Sequence, residues 1–211
     1  MIGKIIDTPT GNDYIEMRAK GFEKISPQRK YHGISTQIIA QIKNVRVPFN
    51  IDIGVGDIIF PRAEERTINT QLPDFETPII KTYSLESTIA EKFDAILQRF
   101  ELTGRMKDFY DIYYLSRTFN FDGERLQSAI FNTLQRRGTP YDRDSFKRVV
   151  SLADDEDMQK RWKYFLKTIK DDTLEFPLVI AEIQTFLEPV FDAIVNEVEW
   201  QNEWIATKGW R

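Results

Sequence analysis

The first eighty or so residues alternate between apolar and polar side chains, which is the period-two pattern of strands with one buried face. The alternation is clearest in segments 14–18, 34–42 and 45–53. Lys43-Asn44 separates the last two segments and predicts a hairpin connection. Pro48 predicts an edge position or a bulge for the third strand, because proline has no amide hydrogen to donate. Residues 61–78, which contain Pro73 and scattered charges, are predicted to be a connector.

From Ser84 onward, apolar residues recur at intervals of three, four and seven, which predicts helices. Ser84 is the predicted N-cap of the first helix. Four more helices are predicted, one beginning near Gly104-Arg105 and the others over 125–135, 155–169 and 177–198. Pro189 predicts a kink in the last helix. The fold class is therefore α+β, with a β-rich domain over 1–80 and a helical domain over 81–211.

Composition excludes several kinds of site. The chain has 211 residues, no cysteine and a single histidine, His32, so disulfides, thiolate metal sites and multi-histidine metal sites are excluded. No apolar run approaches the roughly 20 residues of a membrane helix, and no secretory signal is present, so we expect a cytoplasmic protein. The net charge of -4 argues against a dedicated polyanion binder.

The first candidate for chemistry is Asp52, which lies between two isoleucines on the third predicted strand and precedes Gly54 and Gly56. Strand carboxylates of this kind hold magnesium in two-metal phosphoryl transfer, and glycine lets a ligand approach the backbone. The alternative is a glycine turn that closes a hairpin beside a solvated Asp52. On spacing alone, this structural alternative is the more common one.

The helices supply the other candidates. Lys92 borders the buried face of the first helix. A lysine there can contact a triphosphate. The alternative is a boundary residue whose aliphatic stem packs on apolar neighbours while its ammonium reaches solvent. In the second helix, Arg105 and Asp108 lie near one line of the surface, as do Lys107 and Asp111. These two pairs are predicted to form local ion pairs.

The order and the residues of these motifs resemble those of the AbiEii/AbiGii nucleotidyltransferase toxins. The matching strings are Ile-Asp-Ile-Gly-Val-Gly-Asp at 51–57, Ala-Glu-Lys-Phe-Asp at 90–94 and Arg-Met-Lys-Asp-Phe-Tyr-Asp at 105–111. The resemblance implies part of a polymerase-β-like nucleotidyltransferase sheet followed by a C-terminal helical bundle. It also implies transfer of a nucleotide from a nucleoside triphosphate, with Mg²⁺, to an acceptor such as tRNA, and inhibition by a winged-helix antitoxin.

The same resemblance assigns roles to residues of this chain. Asp52 is the expected metal ligand, Lys92 the triphosphate contact and Asp108 an essential helical acid. Supporting substrate contacts are expected from Asp57, Arg105, Lys107 and Asp111. Whether the chain forms a homo-oligomer stays open.

One feature of the family is missing from this sequence. The family has a glycine-rich turn and an Asp-x-Asp pair upstream of these motifs. The Asp-x-Asp strings in this sequence lie downstream, at 142–144 and 155–157. We interpret them as acids at helix N-termini. An N-terminally truncated transferase with impaired activity is therefore expected. The alternative is a non-catalytic interaction module that binds an antitoxin or RNA. Trp200, Trp204 and Trp210 are interpreted as packing anchors rather than as a binding site.

Overall fold

The computed structural model describes residues 2–8, 14–25, 32–55, 59–71, 75–100 and 104–211. Its elements form two compact units, Met1–Asp57 and Ile58–Arg211. The sequence pattern placed the domain boundary at residue 80. The first compact unit ends earlier, at Asp57. Strands and helices are both present and are largely segregated along the chain, so the predicted α+β class is confirmed.

The first unit contains a three-stranded antiparallel sheet in the order β1-β2-β3. Its elements are α1 (Ile2–Ile6), β1 (Glu16–Ile25), β2 (His32–Ile42) and β3 (Val45–Val55). Lys43 and Asn44 form the turn between β2 and β3, which confirms the predicted hairpin. Strand β3 is an edge of the sheet, as Pro48 predicted. In the β2–β3 register, Ile38 pairs with Phe49 on one face and Ser35 pairs with Asp52 on the other.

The second unit begins with a two-stranded ribbon that the sequence did not predict. Strand β4 (Glu64–Thr67) pairs antiparallel with β5 (Ile79–Thr82). The prediction of a connector over 61–78 was wrong for β4. This strand reads Glu-Glu-Arg-Thr, so it has no alternation of apolar residues, and only its backbone pairing with β5 makes it a strand.

Six α-helices follow in the described part of this unit: α2 (Leu85–Arg99), α3 (Met106–Thr118), α4 (Gly123–Arg137), α5 (Ser145–Ser151), α6 (Glu156–Ile169) and α7 (Phe176–Val195). All were predicted to within a few residues except α5, which is only seven residues long. Helix α7 continues through Pro189 as a single element. A short 3₁₀ turn, Leu152–Asp154, precedes α6. None of the helices in the described ranges is long and apolar enough to cross a membrane.

The helix ends follow the local chemistry of the sequence. The Ser84 hydroxyl accepts the amide hydrogen of Ser87 and caps α2, as predicted. Asp155 accepts the amide hydrogen of Met158 at 2.8 Å, which confirms the interpretation of this acid as a helix N-terminal group. Helix α4 ends at Gly138, whose φ of 63° lies in the left-handed region that glycine favours.

A short sheet formed by β6 (Phe121–Asp122), β7 (Glu203–Ile205) and β8 (Gly209–Trp210) fastens the end of the chain to the helices. The Trp204 ring is buried 4.8 Å from the Phe186 ring, and its indole nitrogen donates to the Ser116 carbonyl. The Trp200 and Trp210 rings contact each other at 5.5 Å. The three tryptophans are therefore packing anchors, as predicted.

Candidate functional site

Helices α2 and α3 bring five charged side chains into one group, which we call the Lys92 cluster. It consists of Lys92, Arg105, Lys107, Asp108 and Asp111. The Lys92 ammonium, from α2, lies 2.5 Å from Asp111 Oδ2 and 3.4 Å from Asp108 Oδ1, both from α3. Lys92 is 16 residues from Asp108 and 19 residues from Asp111 along the chain, and the packing of α2 on α3 brings these side chains together.

Asp108 is the most enclosed member of the cluster, since its side chain is only 4% exposed. It lies in the first turn of α3, where the helix dipole favours a negative charge. Arg105, the residue that precedes the helix, places its Nε 2.5 Å from Asp108 Oδ2 and its Nη2 3.2 Å from Oδ1. A buried carboxylate is stable only when such partners replace water, so Asp108 is held in one position.

The outer side of the cluster faces solvent. Lys107 has a side chain that is 72% exposed, and its ammonium lies 2.7 Å from Asp111 Oδ2. Asp111 therefore accepts from two ammonium groups, Lys92 and Lys107. The predicted pairs Arg105–Asp108 and Lys107–Asp111 are both confirmed, and the pairing of Lys92 with both carboxylates is an addition from the tertiary structure.

The charge balance of the Lys92 cluster favours an anionic ligand. Three cations and two carboxylates give a net charge of +1. Both carboxylates of the cluster are already paired with cations. A magnesium site needs carboxylate oxygens that are not neutralised in this way, so the cluster on its own does not fit one. Throughout the described ranges, no three His, Asp or Glu side chains are grouped to hold a metal ion.

A second polar group, which we call the Asp94 cluster, joins α2 to the end of α4. It consists of Glu91, Asp94, Gln98, Arg137 and Thr139. The Asp94 side chain is completely buried, and it accepts from the Thr139 hydroxyl and from Gln98 Nε2 at 2.9 Å. Arg137 forms an ion pair with Glu91 and places its Nε 3.5 Å from Asp94 Oδ2. These partners offset the cost of burying a charge.

The sequence contains one local signal for this second cluster, outside the motifs considered above. Asp94 directly follows Phe93 and lies among the buried positions of α2. A carboxylate in a buried helix face is rare unless it has partners. Lys92 and Asp94 are two positions apart and hence about 200° apart around the helix axis. The two clusters therefore lie on opposite sides of α2.

Asp52, the remaining predicted site residue that the structure describes, lies in the first unit. Asp52 is exposed on strand β3, opposite Ser35 of β2. Asp57 lies outside the described residues. The structure thus brings Lys92 together with Arg105, Lys107, Asp108 and Asp111, while the metal role of Asp52 and the substrate role of Asp57 stay predictions.

Together, the fold and the Lys92 cluster define an α+β protein with a partly buried group of charged side chains of net charge +1. The family model described as "Nucleotidyl transferase AbiEii toxin, Type IV TA system" matches residues 1–197 of the 211. The chain belongs to this family of nucleotidyltransferase toxins, which confirms the resemblance seen in the motifs. Family membership implies a nucleotide substrate and an antitoxin partner. No match was found among curated proteins.

Proposed function

We propose that the chain transfers a nucleotide from a nucleoside triphosphate to an acceptor hydroxyl, such as one on tRNA, in the cytoplasm. In this proposal a winged-helix antitoxin holds the activity in check. The observation that carries the proposal is the meeting of Lys92 with Asp108 and Asp111 in a cluster of net charge +1. Membership of a nucleotidyltransferase family supports the reaction class.

Lys92 is the proposed contact to the triphosphate. Its ammonium has three N–H groups, of which two are directed to Asp108 and Asp111, so a third can donate to a phosphate oxygen. The Lys92 side chain is mostly buried, which strengthens its attraction to an anion compared with a fully solvated lysine. The two carboxylates hold the ammonium in place before the substrate arrives, so little reorganisation is needed during the reaction.

The proposed reaction forms a bond between the acceptor oxygen and the α-phosphorus and breaks the bond from that phosphorus to the pyrophosphate, while the proton of the acceptor hydroxyl is released to water. Negative charge builds up on the departing pyrophosphate, and Lys92, Arg105 and Lys107 are the described cations that can stabilise it. Magnesium, with Asp52 as a ligand, is proposed from the family resemblance alone. When bound, the metal would neutralise part of the triphosphate charge.

The proposal is tested with each radiolabelled triphosphate, magnesium and total tRNA. Lys92→Ala should lower the transfer rate by about 100-fold or more, since it removes a charged donor from the phosphates. The control is Lys163→Ala, which removes an exposed lysine of α6 and should leave the rate unchanged.

Two outcomes would contradict this assignment. Transfer that survives the combined Asp52→Ala, Lys92→Ala and Asp108→Ala substitutions would show that the site lies elsewhere. Absence of transfer by the unmutated chain with every triphosphate, together with tight antitoxin binding, would favour the non-catalytic interaction module.

A further inference from the structure

A pair of tyrosines on α3 continues the outward surface of the Lys92 cluster. Lys107, Tyr110, Asp111 and Tyr114 are spaced so that they share one side of the helix. The rings of Tyr110 and Tyr114 are stacked, with centroids 6.5 Å apart and planes inclined by 14°. Because a helix rises 1.5 Å per residue, Tyr114 lies only about 4.5 Å along the axis from Asp111. The aromatic pair is therefore a direct neighbour of the candidate site.

The two rings differ in their surroundings. Tyr110 contacts two aromatic rings of α6, Phe165 at 5.8 Å and Trp162 at 6.4 Å. Tyr114 is 52% exposed. The inner ring is thus fixed by the helical core and supports an outer ring that is open to solvent. This arrangement preorganises an aromatic surface, which lowers the entropy cost of stacking a flat ligand on it.

Cations lie at both ends of this aromatic pair. Lys107 lies one turn before Tyr110 and is largely exposed. Arg117 lies one turn after Tyr114 and is close to Glu182, with 3.5 Å between Nη1 and the carboxylate. An aromatic platform between cations matches a ligand that combines flat bases with phosphates, as in single-stranded nucleic acids.

We propose that Tyr114, supported by Tyr110, is a stacking platform for a nucleobase of the substrate. The proposal rests on the proposed nucleotidyl transfer, because it takes the Lys92 cluster as the phosphate site. The base belongs either to the donor triphosphate or to the acceptor RNA, and the chemistry of stacking is the same for both. Aromatic pairs four residues apart also stabilise helices, but that role does not require Tyr114 to be half exposed beside the site.

The test measures binding without transfer. In the first arm, a fluorescein-labelled single-stranded RNA of ten nucleotides is titrated with protein in the absence of triphosphate, and anisotropy is recorded. In the second arm, ATP, CTP, GTP and UTP are each titrated by calorimetry in the absence of RNA. Tyr114→Ala should weaken binding about tenfold in one arm, within the range found for loss of a stacking aromatic residue. Tyr114→Phe keeps the ring and should bind within twofold of the wild type.

The matched control is Tyr164→Ala, which removes a tyrosine of α6 that is 74% exposed. It should leave both affinities within twofold of the wild type. Weaker binding in the RNA arm assigns the base to the acceptor, and weaker binding in the triphosphate arm assigns it to the donor. Equal affinities of Tyr114→Ala and Tyr164→Ala in both arms would overturn the proposal, as would failure of the wild type to bind either ligand.

The same variants separate this proposal from the proposed function. If Lys92→Ala leaves transfer intact while Tyr114→Ala weakens binding, the phosphate assignment fails and the stacking surface stands. If Lys92→Ala abolishes transfer while Tyr114→Ala binds normally, the stacking proposal alone fails. Circular dichroism of each variant checks that the helices are retained.

Discussion

Helix α2 carries one charged cluster on each side, and the two clusters differ in their access to water. In the Asp94 cluster, the central carboxylate is wholly buried and is surrounded by Thr139, Gln98 and Arg137. In the Lys92 cluster, the central ammonium is held by two carboxylates, but Lys107 and Arg105 remain substantially exposed. The comparison shows how one helix can be fixed on one side and remain available to a ligand on the other.

The difference follows from the cost of desolvation. A buried ion pair is expensive to form, but the loss of one partner leaves a charge that neither water nor protein can stabilise. The Asp94 cluster therefore fixes the position of α2 against the end of α4. Exposed ion pairs contribute little because water can replace either partner. Lys107, the most exposed cation of the Lys92 cluster, can for the same reason exchange its carboxylate partner for a phosphate at low cost.

The largest expected effect is on the buried side. Arg137→Met removes the guanidinium next to Asp94 and Glu91, and we expect the free energy of unfolding to fall by about 3 kcal/mol. Urea denaturation measures this as a lower midpoint with an unchanged slope. Arg136→Met is the matched control, because the neighbouring Arg136 is exposed and should lose less than about 1 kcal/mol. Equal losses in the two variants would contradict the structural role of the Asp94 cluster.

A smaller loss is expected for Thr139→Val, which preserves the shape of the side chain but removes the hydroxyl that donates to Asp94. The free energy of unfolding should fall by about 1 to 2 kcal/mol, because a buried carboxylate oxygen loses a donor. Thr168→Val, at an exposed position of α6, should change stability by less than about 0.5 kcal/mol. A thermal or urea unfolding curve for the two variants makes the comparison, and an unaffected Thr139→Val would show that water replaces the hydroxyl.

On the open side, Lys107→Ala should lower stability by less than about 0.5 kcal/mol, since its ion pair with Asp111 is exposed. Its effect should instead appear as weaker triphosphate binding, measured by calorimetry, that diminishes as salt is raised. Lys160→Ala removes a similar exposed pair with Glu156 on α6 and should leave that binding unchanged. If the two lysines behave identically, the cations of the Lys92 cluster have no special relation to the substrate.

The smallest effect concerns an exposed carboxylate that lies in neither cluster. The Ser145 hydroxyl donates to Asp142 at 2.9 Å and lowers the pKa of that carboxyl below its usual value of 3.8. The resulting stabilisation is complete above pH 3.8 and is lost as the pH falls through the lowered pKa. In Ser145→Ala the pKa of Asp142 should rise towards 3.8, as followed by carbon NMR of the carboxyl group. The lowered pKa of Asp171, which rests on Thr173, should not change.

Only some contacts of the candidate site could be predicted from the sequence. Arg105 with Asp108, and Lys107 with Asp111, were predictable because residues three and four apart are neighbours on any helix. The contact of Lys92 with Asp111 spans two helices, and no local pattern contains that information. Asp94 was missed because its partner Arg137 lies 43 positions along the chain, at the far end of α4. Its position in an apolar stripe was the one local sign that a partner was needed.

The sequence by itself determined the main helices, the β2–β3 hairpin, the caps at Ser84 and Asp155, and the family to which the chain belongs. These features depend on neighbouring residues and on periodicity, which are local properties of a chain. Tertiary structure alone decided that β4 is a strand, that Lys92 meets both carboxylates of α3, and that Asp94 is buried against α4. Pairing between distant segments depends on how the faces of helices and strands pack in three dimensions. A strand without apolar alternation therefore cannot be derived from spacing along the chain. The same holds for ion pairs between helices.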